Sequence, residues 1–518
     1  VEALMPGDRE RIVIIGAGHN GLIAAFYLAK AGFAPIVVER AAVAGGSAVT
    51  EEIHPGFQCP VLFDTPGPLL PQIVRDLKLD DKKLFVTPDL QLTVLSQDGK
   101  ALQIFTDPNR TASELLRCSS HDARKFPEFH ATLQRLGRAL APLLSTTPPD
   151  INHLDFHDWT NLGRFGLRFK KLDQKDAYRL LRWGPMPVAD LASEWFETEP
   201  LRAAVAGGGI FGMSAGPRSA GTAAGLLMQA ALGTPAPIGQ GGIGALTQLL
   251  AKAAITAGAQ IRTAAAVTRI VVKDGEARGV LLDGGEEIVA RAVVSNADPQ
   301  QTFLKLLDAT ELNPGFISKM QAYRTLGTVA KVNVALSGLT AFGGLAAQIQ
   351  IGPDVDYLEK AFDAAKYGEF SPNPLLRITV PSVWDYSLAP KNKHVMSIFV
   401  QFAPYRLKTG NWDSRREQLG DVVVKTLSAY APGIDKLILN RQILTPVDIE
   451  RRFGMSGGHI FHGEHALDQL FAFRPLLGWA RYRTPVKRLY LCGSGTHPGG
   501  GITGAPGLNA SREILRDL

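Results

Sequence analysis

The first strong pattern along the chain is a short β-branched run, RIVII at 11–15, then GAGHNG at 16–21, then LIAAFYLAKAG with apolar residues at helical spacing. Gly32 is placed to end that helix. A second apolar run, APIVVER, closes on Glu39. Strand, glycine turn, helix and strand within about thirty residues predict a βαβ unit. The far end of the chain repeats the first half of the pattern. VKRLYLCG at 486–493 predicts a strand, and SGTHPGGGITGAPGLNASREIL after it predicts glycine turns leading into a helix.

In the middle, APIGQGGIGALTQLLAKAAITAGAQI at 236–261 predicts a helix and then a strand. AVTRIVVKDGEARGVLLDGGEEIVARAVVSNADP at 266–299 predicts alternating strands joined by Asp-Gly and Gly-Gly turns. The longest uncharged stretch, Ser219–Ala251, is broken by Gly233, Pro235, Pro237 and a glycine cluster. It predicts a buried helix beside a ligand cavity and not a membrane span. These patterns predict an α/β protein with a discontinuous Rossmann-type domain assembled from 8–70, 236–305 and 481–518. The inserted segments, 71–235 and 306–480, build a mixed α+β substrate domain, with the cavity expected between the two.

A chain of 518 residues with 45% apolar and 20% charged residues can bury a sizeable core. Its net charge of +6 is a mild bias at this length and does not point to nucleic acid. Cys59, Cys118 and Cys492 form no CxxC or CxxxxC pair, which excludes a zinc ribbon and a redox dithiol of neighbouring cysteines. The start, Val1 to Glu10, is polar and lacks an apolar signal region. The expected location is the cytoplasm or the surface of a membrane.

The chemistry implied by the first turn is dinucleotide binding. Gly16 permits the tight turn, Gly18 lets backbone approach a pyrophosphate, and Gly21 lets helix and strand pack closely. The helix N-terminus offers N–H groups to phosphates. Glu39 is placed to accept from a ribose hydroxyl and would repel a 2′-phosphate. Gly16, Gly18, His19, Asn20, Gly21, Glu39 and Arg40 are therefore candidate contacts. Glycine spacing alone is weak: GxGxxG also occurs at 207–212, 239–244 and 499–504. The first two lack a preceding β-branched strand and a following acid, and are expected to be turns or packing glycines.

The segment ERAAVAGGSAVTEE at 39–52 resembles the ERxxxxGG signature of the flavoprotein superfamily that includes amine oxidases and carotenoid desaturases. LYLCGSGTHPGGGITGAPG resembles the C-terminal motif of phytoene desaturases and carotenoid isomerases. With RPLLGWARYRTP at 474–485 and GGHIFHGEHALDQLF at 457–471, it is most similar to the branch named for a pyridine nucleotide-disulfide oxidoreductase domain. The resemblance spans nearly the whole chain. It implies a glutathione reductase/amine oxidase-like fold, non-covalent FAD and oxidoreductase chemistry. Gly45 and Gly46 then lie along the cofactor's phosphates. Ser47 stands where relatives often carry Arg, so one phosphate-pairing charge is missing or comes from elsewhere. The backbone of Val267 is implied at the adenine. Gly493, Gly495, Gly501, Ile502, Thr503 and Gly504 are implied at the other end, where the 502–504 amides would stabilise negative charge on reduced flavin.

Other residues carry weaker signals. His497 is a candidate catalytic acid or base within that turn, or a packing histidine. His459, His462 and His465 lie three apart, but no carboxylate cluster or cysteine completes a metal site, so a cavity-lining turn is expected and no metal. Arg474 binds an acidic group or fixes its loop. Residues 164–183 carry seven basic and two acidic residues with interleaved aromatics, which suits a membrane surface or a solvated helix face. The expected activity is dehydrogenation of a small apolar substrate, a polyene among the candidates, by hydride transfer to FAD, with oxygen or a quinone as acceptor. Flavin-dependent isomerisation, amine oxidation and a low-turnover flavin-bound interaction protein stand as alternatives.

Overall fold

The computed structural model describes residues 10–65, 67–79, 84–150, 154, 156–233, 237–340, 342, 344 and 346–518. The N-terminal residues before Glu10 and the side chains of Arg164, Phe165 and Arg168 lie outside the described residues.

In the strand Arg11–Ile15 the four apolar residues from Ile12 on are buried, as a continuous apolar run requires at the centre of a parallel sheet. Ala34–Val38 pairs with it on one side and Ala292–Ser295 on the other. Gln260–Arg262 and Leu489–Leu491 complete five parallel strands in the order 489–491, 292–295, 11–15, 34–38, 260–262. Three separated parts of the chain therefore build one Rossmann-type sheet. The helices His19–Lys30, Gly242–Thr256 and Ala505–Asp517 pack on it through one apolar core. The hairpins expected at 266–299 form a small antiparallel sheet of Val267–Lys273, Glu276–Leu282 and Glu287–Val289. Asp274 and Gly275 both take positive φ at the first turn, which an Asp-Gly hairpin requires.

The inserted domain is mixed α+β. Its seven-stranded sheet runs in the order 438–444, 329–336, 394–401, 375–379, 348–351, 90–95, 101–105, antiparallel except where 348–351 meets 90–95. One face packs on the helix Trp412–Tyr430. The other turns toward the Rossmann-type domain, where Asn333 donates to the carbonyl of Val61 at 2.9 Å. A separate helical core gathers Ser120–Leu144, Val188–Trp195, Glu199–Ile210 and Thr222–Leu232. The uncharged stretch 219–251 is two helices, Thr222–Leu232 and Gly242–Thr256; Gly233 and Gly241, both at positive φ, end one and begin the other. Gly207 and Gly209 lie inside Glu199–Ile210, where a Cβ would meet Gln350 at 2.4 Å and the Thr222 carbonyl at 2.8 Å; they are packing glycines. Among the described residues no helix is long and apolar enough to cross a membrane.

Candidate functional site

The strand order reverses between 11–15 and 292–295, and open α/β sheets bind ligands outside the strand ends at such a point. A cavity of about 410 Å³ opens there. Gly16 leaves the strand at φ +92°, and its N–H donates to the Val38 carbonyl at 2.8 Å. A Cβ on Gly21 would stand 2.3 Å from the Gly16 carbonyl, so only glycine lets the helix begin this close to the strand end. No side chain caps that helix at Gly18, so its first N–H groups and dipole are available to an anion. The Glu39 carboxylate accepts from the Ala17 N–H at 2.8 Å and the Ala41 N–H at 2.9 Å. Each oxygen keeps a lone pair for a ligand hydroxyl.

The loop at 45–46 folds back onto this turn. Gly45 donates to the Ala17 carbonyl at 2.9 Å, and a Cβ on Gly46, at φ +61°, would lie 3.1 Å from the Gly18 Cα. Gly16, Gly18, His19, Asn20, Glu39, Arg40, Gly45, Gly46, Ser47 and Val267 all line the cavity. Gly501, Ile502, Ser494, His462, Ile460 and Phe63 line it as well. The two glycine turns meet directly: Asn20 Nδ2 donates to Ser494 Oγ at 3.3 Å.

Gly21, Gly493, Gly495, Thr503 and Gly504 stand behind the lining and shape it by close packing. A Cβ would meet the Asn296 carbonyl at 2.7 Å from Gly493, Pro299 at 2.2 Å from Gly495, and Ile23 at 2.5 Å from Gly504. The Thr503 carbonyl is held by the Leu70 N–H at 3.0 Å. His497 needs correction as a candidate acid or base, because it does not line the cavity. It is 2% exposed, its Nε2 donates to the Leu143 carbonyl at 2.8 Å, and Phe471 packs edge-on against it. Burial lowers it to about 4, so the ring is neutral near pH 7 and braces the turn.

The three spaced histidines diverge. His462 lines the cavity and is lowered to about 3 by burial and the Arg474 charge. His459 turns to Glu464, and His465 stacks on Phe461 while accepting from the Gly500 N–H at 3.2 Å. Arg474 is fully buried and donates to the carbonyls of Phe461, Gly463, Glu464, Gln469 and Ser494. It fixes its loop against the second glycine turn. Spacing alone missed several lining residues. Asn296 donates to the Gly16 carbonyl at 3.2 Å, and Asp298 accepts from the Ser456 N–H at 2.7 Å. Both sit in VVSNADP, the segment expected to lead back to the site. Arg452, paired with Glu51, borders the cavity from over 400 positions beyond the first turn, and nothing near it in sequence marks it.

The residues fit FAD. Both glycine turns line the cavity, a Cβ on Gly18 would stand 2.8 Å from Asn296 Nδ2 and one on Gly46 3.1 Å from the Gly18 Cα, and Asn20 Oδ1 and His462 Nδ1 are buried beside it without a hydrogen-bond partner among the described residues. Residues 21–515 match the family of flavin containing amine oxidoreductases. A protein of Rattus norvegicus, pyridine nucleotide-disulfide oxidoreductase domain-containing protein 2, is 37% identical over 551 residues, covering 98% of this chain and 93% of that one. One subunit of the limonene dehydrogenase of Castellaniella defragrans is 26% identical, covering 98% and 94%. The solved structure of a putrescine oxidase variant shares the fold with a TM-score of 0.60 at 15% identity, covering 98% of each chain. On its fold, its two glycine turns and this match, the chain belongs to the flavin-containing amine oxidoreductase family and is an FAD-dependent oxidoreductase.

Proposed function

We propose that this enzyme dehydrogenates an apolar organic substrate, leaving a C=C bond. FAD, when bound, supplies the hydride acceptor. The chain's own residues hold it and shape the space beside it. Glu39 would accept from the ribose, Val267 would border the adenine, and Gly18, Gly45, Gly46 and the helix N-terminus would take the phosphates. Ile502 and Gly501 would face the other end.

The observation that carries the reading is an aromatic wall at that end. Phe63 lines the cavity, with Phe399 and Phe461 behind it at ring distances of 6.2 and 6.4 Å. Phe211 stands edge-on to both, at 5.3 and 6.0 Å. Phe63 gives that end an apolar face that excludes water and suits an apolar chain, and the rings packed behind hold it in place. The acids on the described lining are all engaged: Glu39 and Asp298 by backbone N–H groups, Glu51 by Arg452. With Glu39 assigned to the ribose and Glu51 paired with Arg452, the rings of the aromatic wall are what meets the substrate, which favours C=C over C=N formation. The limonene dehydrogenase relative and the desaturase-like C-terminal motif support the same class.

Anaerobic mixing tests this. An apolar alkene or terpene is expected to bleach the oxidised flavin and to emerge with one more double bond. Bleaching by amines alone, an isomerised product formed only by pre-reduced enzyme, or a flavin that no donor reduces in a protein that retains a partner would each contradict it.

An apolar substrate also fits membrane contact. Phe156–Lys170 and Gln174–Trp183 leave Phe156, Trp159, Leu167, Tyr178 and Leu181 each more than half exposed, near exposed Lys170, Lys171 and Lys175. Apolar side chains beside ammonium groups support docking on an anionic bilayer. The holoenzyme is expected to float with phosphatidylserine-containing vesicles and not with phosphatidylcholine alone. The double substitution Trp159→Ser and Leu167→Ser should weaken that about tenfold. Flotation indifferent to both lipid charge and these substitutions would refute the contact.

A further inference from the structure

The sheet face turned toward the Rossmann-type domain holds an unbalanced charge. Lys331 is fully buried; its Nζ pairs with Asp64 Oδ2 at 3.0 Å and lies 3.5 Å from the centre of the Phe399 ring. The same carboxylate oxygen accepts from Thr379 Oγ1 at 2.9 Å. Asp64 Oδ1 accepts from Thr65 Oγ1 at 3.3 Å, so both oxygens of the carboxylate have partners. Two positions before Thr379 on the same strand, and so on the same side of the sheet, is Arg377. Its Nη2 donates to Gln348 Oε1 at 2.7 Å, and its guanidinium lies 4.1 Å from the centre of the Phe211 ring. Its Nη1 is buried and has no hydrogen-bond partner among the described residues.

Among the described residues, Asp64 is the one carboxylate whose charge acts on Arg377. Burial lowers this guanidinium to about 10, which leaves it charged at neutral pH. Cys59, which the pair also influences, is pushed up by burial to about 12 and is neutral. Two cations thus face one carboxylate. Lys331 and Phe399 are buried, whereas Arg377 and Phe211 are only partly buried. The rings of Phe211 and Phe461 connect Arg377 to Phe63 on the cavity wall.

We infer that Arg377 recognises a carboxylate on the substrate, so that the substrate is an apolar chain with an acidic end, its reacting carbons at the cavity and its carboxylate at Nη1. The inference rests on the reading that substrate lies along the aromatic wall. A planar guanidinium with one edge held by Gln348 presents the other to a carboxylate in the geometry that favours charge-assisted pairing. A hydrocarbon or an amine would leave a buried donor unmatched.

The test uses the FAD-loaded enzyme, titrated with the straight-chain acids from butanoate to hexadecanoate and with their primary amides, followed by the perturbation of the flavin spectrum. At least one acid is expected to bind about tenfold or more tightly than its amide. Arg377→Gln should abolish that preference and Arg377→Lys should keep part of it, with FAD content and unfolding of both variants checked against the parent enzyme. Acid and amide binding alike in the parent enzyme, or a preference that survives Arg377→Gln, would overturn the assignment. The two readings fail separately. Arg377-dependent acid binding with a flavin that no apolar compound bleaches would sink dehydrogenation alone. Bleaching by an uncharged hydrocarbon with no preference for acids would sink the head-group assignment alone.

Discussion

Gly46→Val is expected to yield a folded protein that purifies without FAD and binds added FAD at least about a hundredfold more weakly. Two effects act together. Gly46 sits at φ +61°, a region costly for a β-branched residue. Its new Cβ would also stand 3.1 Å from the Gly18 Cα, holding apart two loops that line the same cavity. Gly32→Ala is the control. Gly32 is also at positive φ, yet nothing lies within 4 Å of a Cβ there, and it ends a helix away from the lining. That variant should lose about 1 kcal/mol of stability and keep its flavin. The flavin-to-protein absorbance ratio and an FAD titration of the apoprotein decide it. Full flavin content in Gly46→Val would show that the 45–46 loop does not hold the cofactor.

Asp64→Leu is expected to destabilise the fold by about 3–5 kcal/mol, because it strands the Lys331 ammonium in a buried site. Burial already pulls Lys331 below the ordinary lysine range, with Asp64 opposing that shift. Lys331→Met in the same chain should return most of the loss, to within about 1 kcal/mol of the parent, since an apolar pair needs no counter-charge. Chemical denaturation at fixed FAD measures both. If the two losses simply added in the double variant, the 3.0 Å contact would not couple the residues.

The parts of the fold legible in the sequence are those where local pattern and final environment agree. Ile12 to Ile15 are β-branched and buried on both faces, so the strand's central place in a parallel sheet follows from its composition. Asp274-Gly275 sets a hairpin through backbone conformation alone. The strand expected over 486–493 is shorter, Leu489–Leu491, because Arg488 takes φ +61° and breaks the extended run. What the sequence hides depends on partners far along the chain. VAKVNVAL at 329–336 alternates like a half-exposed strand, yet all eight residues are buried, because Asp64 and the Val61 carbonyl meet Lys331 and Asn333. His497 lies in a glycine turn that a motif reading puts at the reaction, and a carbonyl 354 positions away turns it inward. Arg474 carries a charge that suggests a ligand, but five carbonyls occupy it.

Central to all of this is that one FAD spans the turns at 16–21 and 499–504. The absorption spectrum of the purified protein, recorded as isolated and again after adding FAD and removing the excess, tests it most directly. The bands of oxidised flavin are expected to stay with the protein, at about one FAD per chain. A folded protein that shows no flavin bands even after FAD is added would contradict it.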